Sequence, residues 1–300
     1  MSKLSTNSKR ILGVAAACLM LVGWSATTHA RSCTIDNWEG GAVNPESLTA
    51  ADAAAGNSRY AGPCSLAVDL SQSMSYVVDP TPAGAAEPSY IVRFYFNPND
   101  NADDGSPLII FAANDANDGT GDDSVQVWYN VESADPFQAS AGALTVAVAN
   151  DSGGVDEINF AASELNASGW NSIEIVWNSQ VDASILASVN GGSDLSVVAD
   201  TDSKIIESAL LGYVGTAEGV TLSSQGVIFF DDFDSRRSSR PGRLLACDAD
   251  SDGDLNVLDA LSVLREIGPD EILAAGQPDC DEDGGINVLD ALAILNLIRQ

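Results

Sequence analysis

The hexapeptide Asn-Val-Leu-Asp-Ala-Leu occurs twice, at 256–261 and 287–292, a period of 31 residues. Each copy closes an aspartate-rich loop and opens an apolar run that reads as a helix. The loops are Asp248-Ala-Asp250-Ser-Asp252-Gly253-Asp254-Leu-Asn256-Val-Leu-Asp259 and Asp279-Cys-Asp281-Glu-Asp283-Gly284-Gly285-Ile-Asn287-Val-Leu-Asp290. Carboxylates so dense repel one another, and a hard cation that prefers oxygen ligands is their natural partner. The rest of the chain is acidic too. It has 300 residues, 43 Asp and Glu against 13 Lys and Arg, one histidine and a formal charge of -30. Such a surface repels phosphate, so neither nucleic acid nor an anionic membrane surface is an expected partner.

Each loop resembles the EF-hand calcium loop at positions 1, 3, 5, 6, 9 and 12. Ca²⁺ takes six to eight oxygens. Alternate residues of a tight loop point carboxylates inward, glycine at position 6 permits the bend, position 7 gives a carbonyl, and the last acid reaches back from a helix. Position 12 here is Asp rather than Glu, position 9 is Asn, and no amphipathic helix precedes the first loop. Loop followed by single helix, twice over, resembles the dockerin domain, the calcium module that docks secreted enzymes onto cohesin domains. The resemblance covers Leu245–Gln300. It implies one Ca²⁺ on Asp248, Asp250, Asp252, the Asp254 carbonyl, Asn256 (through water) and Asp259. It implies a second on Asp279, Asp281, Asp283, the Gly285 carbonyl, Asn287 and Asp290. It also places Val257, Leu258, Val288 and Leu289 at the cohesin-contacting positions. These four are apolar where many dockerins carry hydroxyls, so they either face a partner or pack the two helices together.

The first thirty residues read as a secretory signal: Lys3, Lys9 and Arg10, an apolar stretch Ile11–Trp24, then small residues up to Ala30. That apolar stretch is too short for a comfortable membrane span. Without residues 1–30 the charge becomes -33 and His29, the only histidine, is gone. No imidazole chemistry is then available. Cys33, Cys64, Cys247 and Cys280 remain, and their spacing favours the disulfides Cys33–Cys64 and Cys247–Cys280. Residues 235–244 carry four of the ten remaining basic residues and no large apolar residue before Leu244. They read as a linker, a positive strip able to hold two acidic bodies together.

Residues 31–234 read as all-β: about a dozen short strands separated by Gly/Asn/Asp/Ser clusters, with Asn190-Gly191 as a hairpin turn. The expected fold class is mainly β, a two-sheet sandwich with a small α-helical C-terminal module. Three stretches, Tyr90–Phe96, Gly169–Trp177 and Gly226–Asp234, resemble the concanavalin A-like lectin/glucanase jelly roll, especially its laminin-G-like branch. That resemblance implies binding of a polysaccharide or glycoprotein. The glucanase motif Glu-x-Asp-x-x-Glu is absent; Glu157 and Glu174 have the strand setting without the partner acids. Candidate sugar-stacking aromatics are Trp128, Tyr129, Trp170 and Tyr213, with Trp128 the more expected in the core. Acidic loops at 97–105, 114–123 and 150–156 are expected mainly as solvated surface. The expected protein is a secreted calcium binder that recognises carbohydrate and is anchored by a cohesin-like partner. The alternatives are a polysaccharide-degrading enzyme with an unusual acid pair and a calcium-stiffened surface protein.

Overall fold

A computed structural model describes residues 33–52, 58–71, 74–80, 87–99, 105–114, 123–135, 137–217, 222, 226–269 and 272–299. The expected signal 1–30 and the acidic stretches 100–104 and 115–122 lie outside the described residues. The first strands are β1 (Ala42–Val43), β2 (Leu48–Asp52), β3 (Cys64–Asp69), β4 (Ser75–Pro80), β5 (Ser89–Asn97), β6 (Leu108–Asn114) and β7 (Asp123–Ala134). Then come β8 (Phe137–Ala149), β9 (Val155–Phe160), β10 (Asn171–Asn178), β11 (Ala183–Val189), β12 (Leu195–Ala199), β13 (Ser208–Gly215) and β14 (Val227–Arg236). Two helices follow, α1 (Val257–Glu266) and α2 (Val288–Leu297).

The strands form two antiparallel seven-stranded sheets, ordered β1-β4-β13-β6-β7-β8-β9 and β12-β11-β10-β5-β14-β3-β2. Alternation explains their packing. In β5, Tyr90, Val92, Phe94 and Phe96 point into the core between the sheets. Phe94 meets Phe111 of the facing sheet at 5.4 Å, and Phe96 meets Tyr129 edge-on at 5.0 Å. The Asn190-Gly191 turn is as the sequence predicts. Both residues have positive φ, 54° and 69°, and the Gly192 N–H closes the turn on the Val189 carbonyl at 2.9 Å.

The other face of β5 is buried as well. Arg93 and Tyr95 are almost fully covered. Tyr60 stacks on Tyr95 at 3.7 Å, and the Leu244 N–H donates to the Tyr95 hydroxyl at 2.9 Å. Residues 240–244 therefore lie along the outside of this sheet. The Arg240 guanidinium meets Glu174 and Asp194, and the Gly242 N–H donates to Glu174 at 2.7 Å. β14 runs to Arg236, two residues beyond the expected sandwich boundary. The basic segment is bound to acids through most of its length.

Helices α1 and α2 pack through Ala260, Val263, Ala291 and Ile294. Two small alanines at the crossing allow close approach. Both expected disulfides are present, Cys33–Cys64 and Cys247–Cys280, with Cα separations of 5.6 and 4.7 Å. The second joins the two repeats. Among the described residues, no helix is long and apolar enough to cross a membrane.

Candidate metal centres and adjoining surfaces

The Asp-rich loops and the helix starts are built by the same residues. Asn256 caps α1: its Oδ1 accepts from the Leu258 N–H at 2.8 Å, while Asp259 accepts from the Asn256 N–H at 2.7 Å. This is a reciprocal capping box, and Asp has the reach for it. The other Asp259 oxygen takes the Asp250 N–H at 3.2 Å, tying the loop to the helix. Gly253 at φ 88° makes the bend, and its N–H donates to Asp248 at 3.0 Å.

The second loop repeats this network. Asn287 caps α2 through the Leu289 N–H at 2.8 Å, and Asp290 accepts from Asn287 at 2.8 Å and from Cys280 at 2.8 Å. Gly284, at φ 87°, donates to Asp279 at 2.9 Å.

Carboxylate oxygens of Asp248, Asp250 and Asp259 lie within 4.8 Å of one another, as do those of Asp279, Asp281 and Asp290. Asp252 and Asp283 sit at the exposed rim and accept from Asp254 and Gly285 N–H at 2.9 and 2.8 Å. The Asp254 and Gly285 carbonyls each take one hydrogen bond from the capping Asn side chain, at 3.3 and 3.0 Å, leaving a second lone pair. Asn256 and Asn287 Oδ1 each accept one cap hydrogen bond and likewise keep a second lone pair.

The donor set fits a hard divalent cation. Asp259 and Asp290 are fully buried. Asp279 Oδ1 is buried with no donor among the described residues. Burial, reinforced by Asp290, Asp283 and Asp281, pushes the Asp279 carboxyl up to about 6. Asp250 and Asp281 are also raised, by desolvation first and neighbouring carboxylates next. A cation would relieve all three.

Val257, Leu258, Val288 and Leu289 do not pack the helices together. They are 51–58% exposed. With Leu261, Leu264, Leu292 and Leu295 they leave an apolar stripe on the open face of each helix. The reading in which they pack between helices is thereby corrected: Ala260, Val263, Ala291 and Ile294 fill that role.

Of the four candidate sugar-stacking aromatics, three are core residues. Tyr129 and Tyr213 lie between the sheets. Trp128, on the opposite face of β7, packs with Ile109, Ala112, Val131 and Ala147 and donates to Gln126 at 2.8 Å. Both faces of this strand are covered, which strand parity alone does not reveal. Trp170 remains half-buried, edge-on to Tyr60 at 6.2 Å. It lines a cleft of about 320 Å³ together with Asn97, Asn166 and the second acidic loop.

Glu157 and Glu174 are occupied structurally. Glu157 accepts from the Ser133 hydroxyl and from the Ala134 and Asp135 N–H groups at 2.7–2.9 Å. Glu174 receives Arg240 and Gly242. Sequence reading gave no sign of Arg59. Its guanidinium, in the loop before β3, forms an ion pair with Glu266 at the end of α1 and donates to the Ala274 carbonyl at 3.2 Å. The Gly62 N–H bonds the Gly276 carbonyl at 3.1 Å, and Arg243 pairs with Glu282 at 3.0 Å. These partners are 39 to 215 residues apart, too far for any local pattern to connect.

No family model and no curated protein matches the chain. Among solved structures, it is similar to the receptor-binding domain of botulinum neurotoxin D, at 12% identity and a TM-score of 0.43, covering 76% of this chain and 49% of that one. It is also similar to the binding domain of Paraclostridial Mosquitocidal Protein 1, at 12% identity and 0.43, covering 66% and 44%. A third is a structure of botulinum neurotoxin type C, whose cell entry depends upon interaction with two ganglioside molecules, at 11% identity and 0.43, covering 66% and 44%. The chain spans less than half the length of each of these three.

Proposed function

We propose that this is a secreted calcium-binding recognition protein, in which a jelly-roll sandwich binds carbohydrate and a dockerin-like module anchors it to a cohesin-like partner. One observation carries the reading: two sequence repeats build the same hydrogen-bonded carboxylate loop while leaving the same apolar residues facing outward. Ca²⁺ would be held by Asp248, Asp250, Asp252, Asp259 and the Asp254 carbonyl, and by Asp279, Asp281, Asp283, Asp290 and the Gly285 carbonyl. It supplies the charge that lets these acids pack together. Asn256 and Asn287, which would join the ligand sets through water, also cap the helices and set the final aspartate in place.

The matched exposure of Val257-Leu258 and Val288-Leu289, identical in sequence, supports a docking surface that a partner engages through either repeat. A panel of cohesin domains tested by surface plasmon resonance, with Ca²⁺ and with EDTA, examines this directly. Calcium-dependent capture by at least one cohesin is expected. Loss of helical circular dichroism in EDTA is expected in parallel, since two short helices on a small core need the metal. An unchanged spectrum would count against the metal reading.

The contacts between Arg59 and Glu266, Gly62 and Gly276, and Arg243 and Glu282 favour a second reading, in which calcium mainly stiffens the protein. Failure of every cohesin, with calcium binding intact, would select it.

A further inference from the structure

We propose that the cleft between the sandwich and the second acidic loop binds a neutral, hydroxyl-rich saccharide, and that calcium in that loop completes one of its walls. This rests on the calcium and carbohydrate reading above and gives it a location. The cleft's volume, about 320 Å³, is near the lower end of the ~300–1,000 Å³ typical of small-molecule sites.

One wall comes from the sandwich. Trp170 is held against Ala67 and Phe229 and edge-on to Tyr60, so its indole is a fixed platform. Such a ring offers an apolar face to the C–H side of a pyranose. The loop carrying it is pre-arranged by Asn171, which is fully buried. Asn171 Oδ1 accepts from the Asn166 N–H at 2.7 Å, and its Nδ2 donates to the Asn166 and Gly169 carbonyls at 2.8 and 3.2 Å. Asn166 and Asn97 line the cleft beside it, the Asn97 carboxamide held by Ser58 and the Asn99 N–H. A loop already fixed before binding loses little entropy when ligand enters.

The opposite wall is Asp279, Glu282 and Asp283 of the metal loop. Among the described residues, no lysine or arginine lines the cleft. Carboxylates and amides accept and donate to hydroxyls, whereas an anionic sugar or phosphate would be repelled. Without a cation, the acids of this loop repel one another and the wall lacks its set position.

The experiment titrates the full chain, by calorimetry and saturation-transfer NMR, with neutral β-linked trisaccharides of glucose, xylose and mannose. It is run in Ca²⁺ and in EDTA. At least one trisaccharide is expected to bind in Ca²⁺ and not in EDTA. Trp170→Ala should weaken it about tenfold and Trp170→Phe much less, as for a stacking contact. Should Trp170→Ala fail to fold, Asn166→Ala serves instead, with a loss of about fivefold expected. Absence of any binding to the calcium-loaded chain overturns the inference. So does a folded Trp170→Ala or Asn166→Ala that binds as the parent does, or binding that survives EDTA. A Ca²⁺ titration without sugar separates the two ideas: no calcium uptake sinks the earlier reading, and uptake without sugar binding sinks only this one.

Discussion

Replacing Arg59 by methionine should be among the most damaging single changes in the molecule. The Arg59 side chain is 3% exposed and that of Glu266 9% exposed, so solvent screens their pairing little. Arg59 also donates to the Gly62 and Ala274 carbonyls. The substitution leaves a buried carboxylate without its cation and two carbonyls without this donor. Breaking a buried pair from one side costs about 3–5 kcal/mol. Glu266 keeps the Ala274 N–H at 2.8 Å, which places the expected loss at the lower end, about 3 kcal/mol. Urea unfolding in saturating Ca²⁺, followed by circular dichroism, measures it. The double variant Arg59→Met with Glu266→Leu removes both charges and should recover most of the loss, because two apolar groups can replace a buried pair. A single variant within 0.5 kcal/mol of the parent, or a double variant no better than the single, would refute the reasoning.

Three further changes test other parts of the structure. Burial pushes the Asp231 carboxyl up to about 7, although it accepts from the Tyr60 and Ala61 N–H groups. Between about pH 4 and 7 the folded chain therefore holds a proton that the unfolded chain has released. The Asp231 contribution to stability should fall by about 1.4 kcal/mol per pH unit as pH rises through that window. The parent and Asp231→Asn slopes should therefore differ by about that amount; equal slopes would contradict it. Removing the Cys247–Cys280 bridge with a pair of serines should cost about 3–4 kcal/mol by loop-closure entropy, read as a lower urea midpoint for the helical signal. Leu258→Ser with Leu289→Ser should leave stability within about 1 kcal/mol, since both are solvent-facing, while abolishing cohesin capture by surface plasmon resonance.

The strands were legible because burial imposes alternation. The short strands expected from Ser65 through Phe230 fall within or overlap β3 to β14. β1 and β2 were not anticipated. Ala42–Val43 is only two residues long, and Leu48–Asp52 is rich in small residues; pairing with β4 and β3 defines them, not their own periodicity. The acidic loops were legible because metal-loop spacing and helix capping are both local. By composition the basic segment 235–244 reads as a linker and a positive strip. Its partners Glu174, Asp194 and Glu282 come from β10, the β11–β12 turn and the second acidic loop, which no local pattern joins. For the same reason Tyr129 and Tyr213 looked like ligand aromatics. Nothing in a short strand segment shows that a second sheet covers it.

Calorimetric titration of the full, chelator-stripped chain with Ca²⁺ tests the central claim most directly. Two ions should bind per chain. Asp259→Ala should leave one, Asp290→Ala should leave the other, and the double variant should bind neither. No uptake by the parent chain, or a stoichiometry of two that survives both substitutions, would contradict the account.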